Sequence, residues 1–193
     1  MYGDSRNLRY FVGLGLVIIL LFVVIALIMR SGGDSKVPET KRELTSYVDD
    51  TNFSVSQTII GPITATQNHN QVQITVTNTG SSIEVSQGYD GNVIASNNYP
   101  LSTNGFSEFL NALDRAGFTK GETAKDLQND KGFCPTGQRF IFEIHDGANL
   151  LQRFWQTSCG GTKSYRGNFA LTNTLFQAQI PDYDSLTEDA NIN

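Results

Sequence analysis

The chain has few of the residues that do chemistry. Its 193 residues include two cysteines, two histidines and one tryptophan. His69 and His145 are far apart in sequence and lack metal-ligand spacing, which argues against a histidine metal site. Neither cysteine has a second cysteine three residues away, so a Cys-x-x-Cys redox pair is excluded. Asp90-Gly91-Asn92 lacks both the Asp-x-Asp start and the distal Glu of a calcium loop. No internal repeat is visible. No cofactor and no metal are expected.

Positive charge is scarce as well. From Leu44 onward, eight Lys and Arg stand against fifteen Asp and Glu. An acidic domain repels phosphate backbones, so nucleic acid is not an expected partner.

One long hydrophobic run is present. Phe11 to Met29 carries no charge and no hydrogen-bonding side chain. As a helix at about 1.5 Å per residue it would be roughly 28 Å long, close to the ~30 Å core of a bilayer. It ends Ala26-Leu27-Ile28-Met29-Arg30 without the small-residue pattern of a signal-peptide cleavage site, so a retained anchor is expected. The expected organisation is a short tail (1–10), a transmembrane helix (11–29), a flexible linker or stalk (30–50), a soluble domain (51–181) and a disordered acidic tail (182–193). Pro38 to Val48 reads equally as a short helix. The Lys/Arg count after the span favours a cytoplasmic domain. The short N-terminal tail and an apparent cysteine pair favour an extracytoplasmic one, and a long domain weakens the charge rule. The expected location is a single-pass cell-membrane protein with its domain outside the cytoplasm.

The soluble part reads as α+β. Gln71 to Thr77 alternates polar and apolar residues, placing Val72, Ile74 and Val76 toward a core. Ile83 and Val85 continue the pattern on a return strand. Tyr89-Asp90-Gly91-Asn92 signals a hairpin into a strand from Val93 to Ser96. Phe53 to Val55 and Thr58 to Thr64 supply one or two more strands, with a bend at Gly61-Pro62. The period changes at Asn104, a candidate N-cap. Phe106, Phe109, Leu110 and Leu113 then share one helical face, with Gly117 as the left-handed terminus. Thr119 to Gly132 is a polar loop. Arg139 to His145 and Leu150 to Thr157 form a second hairpin, and Phe169 to Ile180 a last strand or short helix. The expected fold is an antiparallel β-meander packed with one main helix and a C-terminal disulfide-linked hairpin.

Cys134 and Cys159 flank that second hairpin, where adjacent antiparallel strands bring such positions together. A disulfide is the expected pairing. The competing reading makes Cys159 a nucleophile, with His145 as base and Gly160-Gly161 supplying oxyanion donors. Both histidines otherwise read as surface turn residues. Arg139, Glu143, Arg153, Trp155 and Tyr165 form the polar-aromatic group best suited to a binding surface. The plainer account makes Trp155 core and the charges an ordinary solvated face. Asn52-Phe53-Ser54 matches the N-glycosylation acceptor pattern.

Together these features point to a non-enzymatic, membrane-anchored extracytoplasmic domain that binds a protein or an envelope component. Residues 11–29 would meet the lipid bilayer. The alternatives are an accessory structural subunit of a membrane assembly, and a thiol- or carboxylate-dependent hydrolase. Oligomeric state is not fixed by the sequence.

Overall fold

The computed structural model describes residues 43–190 and Ile192. The expected tail (1–10), membrane helix (11–29) and most of the stalk (30–42) lie outside the described residues. Among the described residues no helix is long and apolar enough to cross a membrane.

Six strands form one antiparallel sheet: β1 (Phe53–Ile60), β2 (Asn70–Thr77), β3 (Gly80–Gln87), β4 (Asn92–Pro100), β5 (Arg139–Asp146) and β6 (Asn149–Thr157). Their spatial order is β4-β3-β2-β1-β5-β6. The meander builds outward from β1 to β4. The chain then crosses the sheet through helix α1 (Thr103–Ala116) and lays the second hairpin against the other side of β1. The hairpin is therefore part of the same sheet. Helices α2 (Phe169–Gln177) and α3 (Tyr183–Thr187) follow.

Strand alternation sorts the side chains onto two faces. Phe53, Val55, Ile59, Val72, Ile74, Val76, Ile83, Val85, Phe140, Phe142, Ile144 and Phe154 are buried on the face covered by helices. α1 contributes Phe106, Phe109, Leu110 and Leu113 to that core. Its N-cap is Ser102 and not Asn104. The Ser102 hydroxyl accepts the Gly105 N–H at 3.1 Å from an extended backbone, while Asn104 already lies inside the first turn. The C-terminal end behaves as the sequence implies. Gly117 has φ 74°, and the Phe118 N–H reaches back to the Leu113 carbonyl at 3.0 Å.

Two expectations are corrected by packing. Asp182 to Ala190, expected to be disordered with the rest of 182–193, contains α3 and a 3-10 turn at Glu188–Ala190. Thr187, Ala190 and Ile192 are buried, and the Asn70 side-chain amide donates to the Ala190 carbonyl at 2.5 Å. A few well-placed apolar contacts outweigh the acidic composition of the segment. At the other end, Leu44–Tyr47 forms a 3-10 turn with Leu44 buried and Tyr47 stacked on Phe53 at 4.3 Å between rings. The domain thus begins before residue 51.

Both edge strands carry local features that disfavour pairing with a further strand. At β6, Ser164 and Tyr165 donate their N–H groups to the Trp155 carbonyl at 3.0 Å each, and the Ser164 hydroxyl accepts the Trp155 N–H at 2.8 Å. At β4, the register breaks opposite Val85/Ser86 and bulges the strand at Ile94. The Asn97 side-chain oxygen accepts the Asn98 N–H at 2.9 Å, and Pro100 ends the strand. Bulges, self-capping side chains and proline are the devices that keep an exposed edge from pairing with another chain.

Candidate functional site

The sheet face away from the helices divides into a half dense in charges and a largely uncharged half whose rows carry Glu84. The charged half lies on β5 and β6, where the register sets Arg139, Ile141 and Glu143 beside Thr157, Trp155 and Arg153. The loop from Thr119 to Pro135 lies over it. Asp130 reaches down from that loop and is buried. Its carboxylate binds Arg153 Nη2 at 2.5 Å and Arg139 Nη1 at 3.2 Å. Glu143 binds Arg153 Nε at 3.1 Å and His145 Nε2 at 3.3 Å. Arg153 also donates to the Gln128 carbonyl at 3.1 Å.

Trp155 lies beneath the same loop. It is fully buried, its indole N–H donates to the Leu127 carbonyl at 2.6 Å, and its ring packs on Phe133 with centroids 4.8 Å apart. Leu127, Ile141 and Trp155 make a small second core. Tyr165 sits on the helix side of the sheet instead. It is fully buried there, its hydroxyl 2.7 Å from Thr172 Oγ1 and its ring 4.5 Å from Phe142. Burial pushes its phenol above the ordinary value, and the Thr172 hydrogen bond offsets part of that rise.

The structure therefore brings Arg139, Glu143, Arg153 and Trp155 together but leaves Tyr165 on the opposite face. Arg139, Arg153 and Trp155 bond the overlying loop through Asp130, the Gln128 carbonyl and the Leu127 carbonyl. Asp130, the hub of the ion pairs, has no distinguishing sequence signal. It stands in a polar stretch, and only the tertiary fold brings it between two arginines.

Cys134 and Cys159 are disulfide-bonded, with Cα atoms 5.7 Å apart. The bond fastens the end of the overlying loop to the chain just past β6. With both sulfurs bonded, Cys159 carries no thiolate for nucleophilic attack in this form. His145 is occupied by Glu143. His69, expected at the surface, is buried, stacked on Tyr89 at 4.2 Å and held through Nδ1 by the Pro62 carbonyl at 3.0 Å. No group of His, Cys, Asp and Glu among the described residues could hold a metal ion.

The uncharged half spans β1 to β4. Cross-strand pairing lines up Ser56, Thr75, Ser82 and Asn98 in one row, and Thr58, Gln73, Glu84 and Ser96 in the next. Ser54 and Thr77 begin a third row. Glu84 is the one charged residue in these rows. The rows are buried at their β1 end, at Ser56 and Thr58, and become more exposed toward β4. At its β2–β3 end this half sinks into a shallow open depression of about 530 Å³, whose lining includes Thr75, Thr77, Gly80, Ser82, Asn98 and Tyr99. Gly80 keeps the strands close there, since a Cβ would lie 2.8 Å from the Tyr99 carbonyl oxygen. The sequence shows only alternation at these positions. Register gathers mostly hydroxyl and amide side chains on this face, together with Glu84 and, in the row Ile60, Gln71, Ser86 and Val93, the exposed Val93. The sequence matches no known family model and no curated protein.

Proposed function

We propose that the chain is a membrane-anchored, extracytoplasmic and non-enzymatic binding module whose contact surface is the uncharged half of the open sheet face. The Cys134–Cys159 disulfide carries this reading. Disulfides persist in oxidising compartments, and this one follows an uncharged apolar run, Phe11 to Met29, of membrane-spanning length. A role in binding is supported by how the polar groups are used. Asp130, Glu143 and Glu122 are engaged in ion pairs with arginines, which suits structural and not acid–base duty. The bulge and proline of β4 and the capped Trp155 of β6 favour recognition by a face over strand addition.

Thiol labelling of intact cells with a membrane-impermeant maleimide, before and after mild reduction, tests the location. Labelling only after reduction supports an external, disulfide-bonded domain. Labelling that requires membrane permeabilisation sinks it.

A further inference from the structure

Resting on the membrane-anchored part of that reading, we propose that the tip of the β5–β6 hairpin docks on the lipid surface beside the chain's own apolar run. Leu150 and Leu151 enter the boundary between headgroups and acyl chains. Gly147 to Leu151 is exposed without a break, and Leu150 and Leu151 keep 50% and 37% of their surface in solvent. A regular strand would send two consecutive side chains to opposite faces. Here His145 pairs with Leu150 and Ile144 with Gln152, so Leu151 is the extra residue of a bulge. The bulge keeps both leucines out of the core. Gln152 then turns back toward the end of α1, its side-chain amide donating to the Phe118 carbonyl at 3.3 Å. Two adjacent leucines left in water on an edge strand invite association, so their placement calls for an apolar partner.

The position of the tip selects the lipid surface. The Gly147 N–H donates to the Asn52 carbonyl at 2.9 Å, and Phe53 pairs with Asp146, so the tip touches the residues that lead into β1. Leu44 and Tyr47 lie at that same end of the sheet, with Tyr47 stacked on Phe53. Residues 30–42 are all that separates Phe11–Met29 from the domain. Fully extended, they span at most about 45 Å. An apolar run seated in a bilayer therefore holds this end of the sheet at high local concentration near the surface. Ile63, Tyr89, Val93 and Ile94 are also exposed, but they sit at the opposite ends of the strands, about 25 Å away. The tether does not favour them. Asp50 and Asp146 lie beside the contact between Asn52 and Gly147, so the leucines, and not attraction of the tip to charged headgroups, carry the docking.

The test uses the full chain in phosphatidylcholine nanodiscs, one chain per disc, with the native disulfide left oxidised. A fluorophore is attached in turn at Leu20→Cys, Ala148→Cys and Ile63→Cys, and the discs carry lipid with a nitroxide quencher near the headgroup or deep in the acyl region. The expected result is deep quenching at residue 20, shallow quenching at residue 148 and none at residue 63. Leu150→Ser combined with Leu151→Ser should lower the docked-to-free ratio at residue 148 by about tenfold or more, with an unchanged melting temperature. Quenching at residue 20 without quenching at residue 148 overturns the docking and keeps the anchored module. Absence of quenching at residue 20 overturns the anchor, and the docking with it. Equal quenching at residues 148 and 63 shows adhesion without a preferred end and overturns the docking. Pyrene excimers between copies labelled at Ala148→Cys, formed at two chains per disc when single chains show no quenching there, would assign the leucines to a second copy and overturn it too.

Discussion

Asp130 should hold the loop over β5 and β6 by neutralising two arginines at once, and Asp130→Asn isolates that role. The replacement keeps the side chain's shape and removes its charge. Arg139 has Asp130 as its ion-pair partner among the described residues, at 3.2 Å, whereas Arg153 keeps Glu143 and the Gln128 carbonyl. Breaking a buried ion pair from one side costs about 3–5 kcal/mol. Arg139 and Arg153 retain 14% and 23% side-chain exposure, and an Asn oxygen still accepts one hydrogen bond. A loss of about 2 kcal/mol follows from discounting the buried value for that solvent access. For a domain of this size, about 2 kcal/mol lowers the melting temperature by roughly 4–8 °C. Trp155 is the sole tryptophan and hydrogen-bonds the loop directly, so its fluorescence reports the event. Urea unfolding should show a lower midpoint, with the emission moving to the red before far-UV ellipticity is lost. A change within about 0.5 kcal/mol would mark Asp130 as an ordinary surface acid and refute the reasoning.

Three further perturbations probe other parts of the fold. Reducing the Cys134–Cys159 bond, which spans 25 residues, should cost about 3 kcal/mol by the chain-entropy argument, measured as a lower urea midpoint with dithiothreitol present. An unchanged midpoint would mean the loop is held without it. Gly121→Ala would place a Cβ 2.4 Å from the Phe154 ring, so calorimetry should register a loss of about 1–3 kcal/mol from overpacking. Burial raises the phenols of Tyr165 and Tyr183 above their ordinary value of 10.0. A raised folded-state value means that stability is intact below about pH 10 and falls as pH climbs through the folded-state values. Tyr165→Phe should flatten that alkaline decline, at the cost of leaving the Thr172 hydroxyl unpaired. An alkaline profile identical to that of the parent would show that Tyr165 does not titrate with unfolding.

The sequence by itself determined the elements wherever one periodicity dominates locally. Val72, Ile74 and Val76 had to face a core because a strand alternates. Phe106, Phe109, Leu110 and Leu113 had to share one helical face, and Gly117 had to end that helix because it alone carries no Cβ penalty in the left-handed region. The disulfide was legible because both cysteines flank a hairpin. The tertiary structure decided everything that depends on which strands become neighbours. β1 pairs with β5 although 78 residues lie between Ile60 and Arg139, a choice no local pattern encodes. The β5–β6 hairpin register put Arg153 opposite Glu143, and the fold of the loop over it brought Asp130 between two arginines. The fold also placed Tyr165 on the face opposite Trp155, although the sequence grouped the two as one candidate surface with Trp155 alternatively in the core. The ordering of Asp182 to Ala190 likewise needed a groove to fill, since an acidic segment gains order only from the apolar surface that its few buried residues meet. Local sequence sets which way a side chain points along a strand, and only long-range packing sets what it then faces.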